Sequence, residues 1–86
     1  MPYTVEVEKR AEKFLRSLKD AALYRRLRTA IDSLASDPRG PGSVKLAGSH
    51  DIFRQRVGDY RILYQISDDI LLVLVIEIGH RREVYR

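Results

Sequence analysis

The spacing of hydrophobic and polar positions changes along the chain, and the changes divide it into a strand, two helices and three further strands. From Tyr3 to Glu8 apolar and polar residues alternate, which predicts a short strand with Tyr3, Val5 and Val7 turned to the core. Ala11, Phe14, Leu15 and Leu18 then follow the spacing of one helix stripe. Asp20 stands where a second helix needs an N-cap, and Leu23, Leu27, Ile31 and Leu34 give that helix its apolar face. Asp37-Pro38 stops it, and the Pro- and Gly-rich run from Pro38 to Ser43 is a connector. Val44 to Asp51 leads into a strand in which Phe53, Gln55 and Val57 point inward, leaving Gln55 a polar misfit. Tyr60, Ile62, Tyr64 and Ile66 supply the core positions of the next strand. After a turn at Ser67 to Ile70, the run from Ile70 to Ile76 has no polar alternation, which predicts a central strand covered on both faces. The expected architecture is α+β in the order β-α-α-β-β-β, a small antiparallel sheet with a two-helix hairpin packed against it, in one domain over residues 1–86.

Gly58-Asp59 between two alternating runs is a strong hairpin signal, because glycine takes positive φ without steric cost and aspartate tolerates it. With those residues as the loop, Val57 faces Tyr60, Arg56 faces Arg61 and Arg54 faces Leu63. Arg56 and Arg61 therefore share a sheet face, at a cost of a few tenths to about 1 kcal/mol, and Arg54 joins them two residues along. One such arginine is a solvated side chain whose stem covers apolar surface. Three converging favour an anion, since the guanidinium fork matches carboxylate and phosphate. If Asp68 and Asp69 form the following loop, Ile76 pairs with Arg61 and Glu77 with Tyr60, which brings the segment from Gly79 to Arg86 to the same neighbourhood.

Composition narrows the setting. A chain of 86 residues supports one modest core. It has no cysteine, which rules out thiolate chemistry and suits a reducing compartment. The N-terminus lacks the layout of a signal peptide, and the longest apolar run is too short to span a bilayer, so the expected location is cytoplasmic, without a membrane partner. The net charge is +4, with ten basic and six acidic residues in positions 1–50 and six of each in 51–86. The hairpin is thus basic by clustering. Arg16, Lys19, Arg25, Arg26 and Arg28 on the helices read either as a solvated face or as a nucleic-acid footprint.

Fixed guanidinium groups suit a phosphodiester whose nonbridging oxygens gain charge as a 2′-hydroxyl attacks. Arginine stays protonated, so it clamps well and serves poorly as a base. Tyr85, His80, His50 and Lys45 are the groups that could exchange a proton. His80 reads equally as a structural residue at a strand end, and Tyr85 either closes the core or reaches a ligand. No metal-ligand spacing occurs.

The runs from Val44 to Gly48, Phe53 to Tyr64 and Ile78 to Tyr85 resemble the RelE toxins of the RelE/ParE toxin-antitoxin superfamily over nearly the whole chain. The resemblance implies a toxin that enters the ribosomal A site and cuts mRNA, using no cofactor or metal, by attack of the 2′-hydroxyl on the adjacent phosphate. By position, Arg54 and Arg56 match the basic residues that bind the phosphate, Arg61 the arginine that stabilises the transition state, Arg81 the one beside the leaving group, and Tyr85 the tyrosine that stacks on or activates the nucleotide. The family pattern has lysines where this chain has Arg54 and Arg56, which shifts proton transfer toward Tyr85 or His80; a histidine before arginines is similar to YoeB-like relatives. A RelB-like antitoxin in a hetero-oligomeric complex, the ribosome and mRNA are the implied partners. The alternatives are a ParE-like inhibitor of DNA gyrase without nuclease activity, and an inactive RNA-binding or scaffold relative.

Overall fold

A computed structural model describes residues 2–46, 48 and 51–80. The elements are β1 (Thr4–Val7), α1 (Lys9–Ser17), α2 (Ala21–Ser33), β2 (Ser43–Lys45), β3 (Ile52–Val57), β4 (Tyr60–Ser67), a 3-10 turn (Asp68–Ile70) and β5 (Leu72–His80). They form a five-stranded sheet in the order β1-β5-β4-β3-β2. A side chain fixes the start of α2. Asp20 caps α2 by accepting from the Ala22 and Leu23 N–H groups at 3.0 and 3.1 Å, which satisfies two donors that the first turn leaves open.

One core joins the helical hairpin to one face of the sheet. Ala11, Leu15, Leu27, Ile31 and Leu34 meet Ile62, Tyr64, Ile66, Val73, Val75 and Ile78. Full burial of an aliphatic side chain such as Leu27 contributes about 1.5–3 kcal/mol. Because both helices lie on this side, the other face of the sheet stays without a helical layer.

The α+β class and the order of the long elements agree with the sequence reading, and three details differ. The sheet is mixed, because the chain leaves β1 through the helical hairpin and β1 ends up parallel to β5. A three-residue edge strand, β2, pairs antiparallel with β3 inside the stretch read as a lead-in. β5 packs against the helices through Val73, Val75 and Ile78, while Leu72, Leu74 and Ile76 are half-buried, so the strand is not covered equally on both faces. Gln55 loses its anomaly. Among the described strands β2 alone lies outboard of β3, and the Gln55 amide donates to the Pro41 carbonyl just before β2, at 3.5 Å.

A polar clip holds the end of the sheet remote from the Gly58 turn. Arg39 donates twice to Asp68, at 3.0 and 2.8 Å, and the Tyr3 hydroxyl donates to the same carboxylate at 2.6 Å. The Arg39 guanidinium also lies 5.4 Å from the Phe53 ring centre, and Phe53 stacks on Tyr64 at 6.0 Å. Tyr64 donates to the Pro38 carbonyl at 2.7 Å, a bond made in the buried interior. First β1, the connector, the 3-10 turn and then β3 and β4 are thereby tied together.

Two outcomes follow from this end of the molecule. The bonds from Arg39 and then Tyr3 hold the Asp68 carboxyl at about 2, against 3.8 ordinarily. A depressed carboxylate stabilises the fold fully above the unfolded value and loses that contribution as pH falls through the folded one. The thermal midpoint is therefore expected to fall between pH 4 and pH 2, and D68N to flatten that part of the profile. Tyr64→Phe strands the buried Pro38 carbonyl and is expected to destabilise by about 1–3 kcal/mol in a denaturant titration.

Candidate functional site

The sheet face without helices carries the arginines, and the turn between β3 and β4 sets where they stand. Gly58 has φ +59°, a conformation that costs other residues about 1–2 kcal/mol. A Cβ at this position would also come within 3.2 Å of an Arg26 guanidinium nitrogen, so glycine additionally lets α2 close over the turn. With this two-residue loop fixed, Val57 pairs with Tyr60, Arg56 with Arg61 and Arg54 with Leu63, as the sequence pattern predicts. Val57 and Tyr60 pack toward the core. Alternation then places Arg54, Arg56 and Arg61 together on the opposite face.

Their exposures differ. Arg56 is exposed, Arg54 is half-buried, and Arg61 keeps only 5% of its surface accessible. A charge is costly to remove from water, so a guanidinium held this deep is positioned by the fold before any ligand arrives. Gly79 lies directly opposite Arg61 on β5 and brings no side chain of its own to cover it. Half-buried Leu63 and exposed Val44 flank Arg54 across the sheet, so the cations sit beside apolar surface. Phosphate oxygens could meet the fork-shaped donors while a flat base lies on the neighbouring aliphatic groups.

The β4–β5 register departs from the expected one, and the departure changes which face two residues occupy. The connection is longer than Asp68-Asp69, because the 3-10 turn is followed by Leu71 at φ +52°. An irregularity then falls between Leu63 and Tyr64: Tyr64 pairs with Val75 and Leu63 with Glu77, so that Ile76 is an extra residue. Arg61 consequently faces Gly79 in place of Ile76, and Tyr60 faces His80 in place of Glu77.

His80 thereby lies on the helix-covered side with Tyr60, its ring 5.7 Å away and edge-on at 75°. Tyr60 in turn contacts Phe14 of α1 at 6.1 Å. The thickness of the sheet separates His80 from the arginine trio. Glu77, which the sequence reading set opposite Tyr60, instead completes the row Arg54, Leu63, Glu77 on the arginine face. It is 33% exposed and pairs with Arg10 at 3.4 Å. The sequence carried no signal for this shift, because an unbroken apolar run looks the same in every register. Arg81, Tyr85 and His50 lie outside the described residues.

The charge on the helices is large. Eight basic and two acidic residues fall between Lys9 and Arg28, and the ion pairs there include the distant one from Arg10 to Glu77 and one from Arg28 to Glu12 at 3.6 Å. Two clefts, of about 500 and 630 Å³, also lie on the helical side, one around Phe14 and one between α2 and Val57. The arginine face carries no helical layer and presents Arg56 to solvent, which suits an extended chain better than an enclosed small molecule. Among the described residues, no three histidine, aspartate or glutamate side chains converge as a metal site, and no helix is long and apolar enough to cross a membrane.

Comparison with known proteins adds family relationships to this geometry. Residues 5–85 match the family described as the ParE toxin of the type II toxin-antitoxin system parDE. The chain is 34% identical to toxin RelG of Mycobacterium tuberculosis over 89 aligned positions, covering all of this chain and 99% of that protein. Among solved structures it is similar to a chain of the archaeal RelE–RelB complex of Pyrococcus horikoshii, with a TM-score of 0.82 and 31% identity over 94% of this chain and 97% of the other. It is also similar to a double arginine-to-alanine mutant of the E. coli toxin RelE in the free state, with a TM-score of 0.81 and 29% identity over 99% and 92% of the two chains.

The arrangement of the face makes a measurable demand on anion binding. Each phosphate contact on a single strand contributes about 0.7 to the slope of log affinity against log salt. Arg56→Ala is expected to lower that slope by about this amount for a short single-stranded RNA, whatever its sequence. A fluorescence-anisotropy titration at several salt concentrations checks it, and an unchanged slope would remove Arg56 from the binding face.

Proposed function

The chain belongs to the RelE/ParE family of type II toxin-antitoxin toxins, and from that premise we propose that it is a ribosome-dependent mRNA endonuclease. The observation that carries this reading is the gathering of Arg54, Arg56 and Arg61 on the sheet face away from the helices, with Arg61 held at low exposure. Attack of a 2′-hydroxyl on the adjacent phosphorus adds charge to the nonbridging oxygens. Donors already in place stabilise that charge without the reorganisation that water requires. Arg54 and Arg56 bind the phosphodiester, and Arg61 meets the charge that develops at phosphorus. Arg81 is assigned to the leaving 5′-oxygen and Tyr85 to the nucleotide, on the strength of the sequence resemblance. The reaction leaves a cyclic phosphate and a free 5′-hydroxyl, and it calls on no metal or cofactor. The A site of the ribosome supplies the message in a fixed conformation, which lowers the entropy cost of alignment.

A RelB-like antitoxin is the proposed partner, because similar chains were solved in RelE–RelB complexes. An acidic segment of such a partner would be steered toward a protein of net charge +4 and would inhibit by covering the arginine face.

The family description also names ParE, which supports a second reading as an inhibitor of DNA gyrase that cuts no nucleic acid. Primer extension on message translated in a reconstituted system separates the two. Cleavage is expected on ribosome-engaged message and not on naked RNA, and Arg61→Ala is expected to slow it by about 10²–10³-fold, the usual cost of one oxyanion donor. Intact message together with arrested supercoiling by gyrase would establish the second reading instead.

A further inference from the structure

We propose that Glu77 accepts the proton of the attacking 2′-hydroxyl, an inference that rests on the nuclease reading above. The arginines of the face remain charged at any working pH and cannot take a proton. His80, the titratable ring nearest in sequence, is turned to the other side of the sheet against Tyr60. Tyr85 lies outside the described residues, and among those described β5 supplies a carboxylate on the arginine face.

Its placement is set by backbone geometry. Ile76 is the extra residue of the irregularity in β5, and the strand resumes with Glu77 opposite Leu63 and Gly79 opposite Arg61. Such insertions commonly re-aim a side chain next to a functional site. Glu77 is thus the diagonal neighbour of Arg61 on the same face, about 7–8 Å away across the pair. It also lies two strands from Arg54, about 10 Å at the usual strand spacing. A phosphodiester held by Arg54 and Arg61 would have its ribose toward β5, on the side of Glu77.

Among the described residues, the other carboxylate in a strand on this face is Glu6 of β1, opposite Leu74. It stands a strand farther out and in the row of Gln65, away from Arg61. Among the described residues, the charged groups that face Glu77 are Arg10 of α1, to which it is paired at 3.4 Å, and Arg54 and Arg61 of the sheet. At 72% exposure Arg10 is a loose partner, so the carboxylate can exchange that contact for a substrate hydroxyl.

The step balances without a further reactant. One Glu77 carboxylate oxygen takes the proton from the 2′-hydroxyl as the 2′-oxygen bonds to phosphorus. The bond from phosphorus to the 5′-oxygen breaks, and that oxygen leaves with its electron pair and is protonated from solvent. Glu77 then returns its proton to water.

The test measures cleavage of ribosome-engaged message by the full chain, with wild type, E77Q and R10A compared across pH. General-base removal costs about 10²–10⁴-fold, so E77Q is expected to lower kcat by at least about 100-fold with KM little changed. In wild type, log kcat is expected to rise with pH along an acid limb and then level, and E77Q should lose that limb. R10A removes the ion pair but not the carboxylate and should stay within about fivefold of wild type, the range of an exposed pair. Should E77Q lose its melting transition, E77D takes its place, with slower cutting and the limb retained. Cutting by E77Q at the wild-type rate, survival of its acid limb, or an equal loss in R10A would each overturn the assignment while leaving the nuclease reading intact. A wild type that cuts no message would overturn both.

Discussion

The register of the β3–β4 hairpin is the constraint on which the rest of the arginine face depends. A two-residue loop built on Gly58 allows one pairing, and that pairing sets Arg56 beside Arg61. The repulsion between them, up to about 1 kcal/mol, is carried by the helix-side contacts of the same strands. Val57 and Tyr60 lie against the core, and Ile62, Tyr64 and Ile66 are buried within it. A slip by one residue would exchange the two faces, exposing the core set and burying the cations. The hydrophobic face thus holds the charged face in position, and the helices serve the site by covering the side on which it does not lie.

The arginine face is not uniformly basic. Among the described residues, its cations are concentrated on β3 and β4, and its carboxylates, Glu6 and Glu77, come from β1 and β5, with Leu63, Leu72 and Leu74 between them. A ligand with one anionic edge and one flat apolar part meets complementary surface in a single orientation, whereas a uniformly anionic one would be repelled at the β1 side. Low accessibility at Arg61 adds to this preference, since its position is set before binding.

Sequence made the hairpin legible because Gly-Asp leaves little choice of loop, and it made the helices legible because Leu27, Ile31 and Leu34 repeat at helical spacing next to a good N-cap. It failed where the information is carried by conformation and not by pattern. The run from Ile70 to Ile76 would fit a strand in any register, so neither the left-handed Leu71 nor the extra residue at Ile76 could be read from it. That single shift moved His80 to the helix side and Glu77 to the arginine side. The parallel pairing of β1 was hidden for a similar reason, because Val5 and Val7 would suit either direction. Gln55 was legible only as an exception, and it became intelligible once the edge strand outside it was known.

The shortness of β2 bears on the protein's behaviour at high concentration. Three residues cover the Phe53 to Gln55 stretch of β3 and leave the backbone of Arg56 and Val57 at the rim of the sheet. An unguarded rim of this kind invites another chain to add itself and start a fibre. A second copy approaching along this border would bring its own Lys45, Arg54 and Arg56 against the same set. The cations suited to gripping a polyanion thus also keep copies of the toxin from stacking on one another.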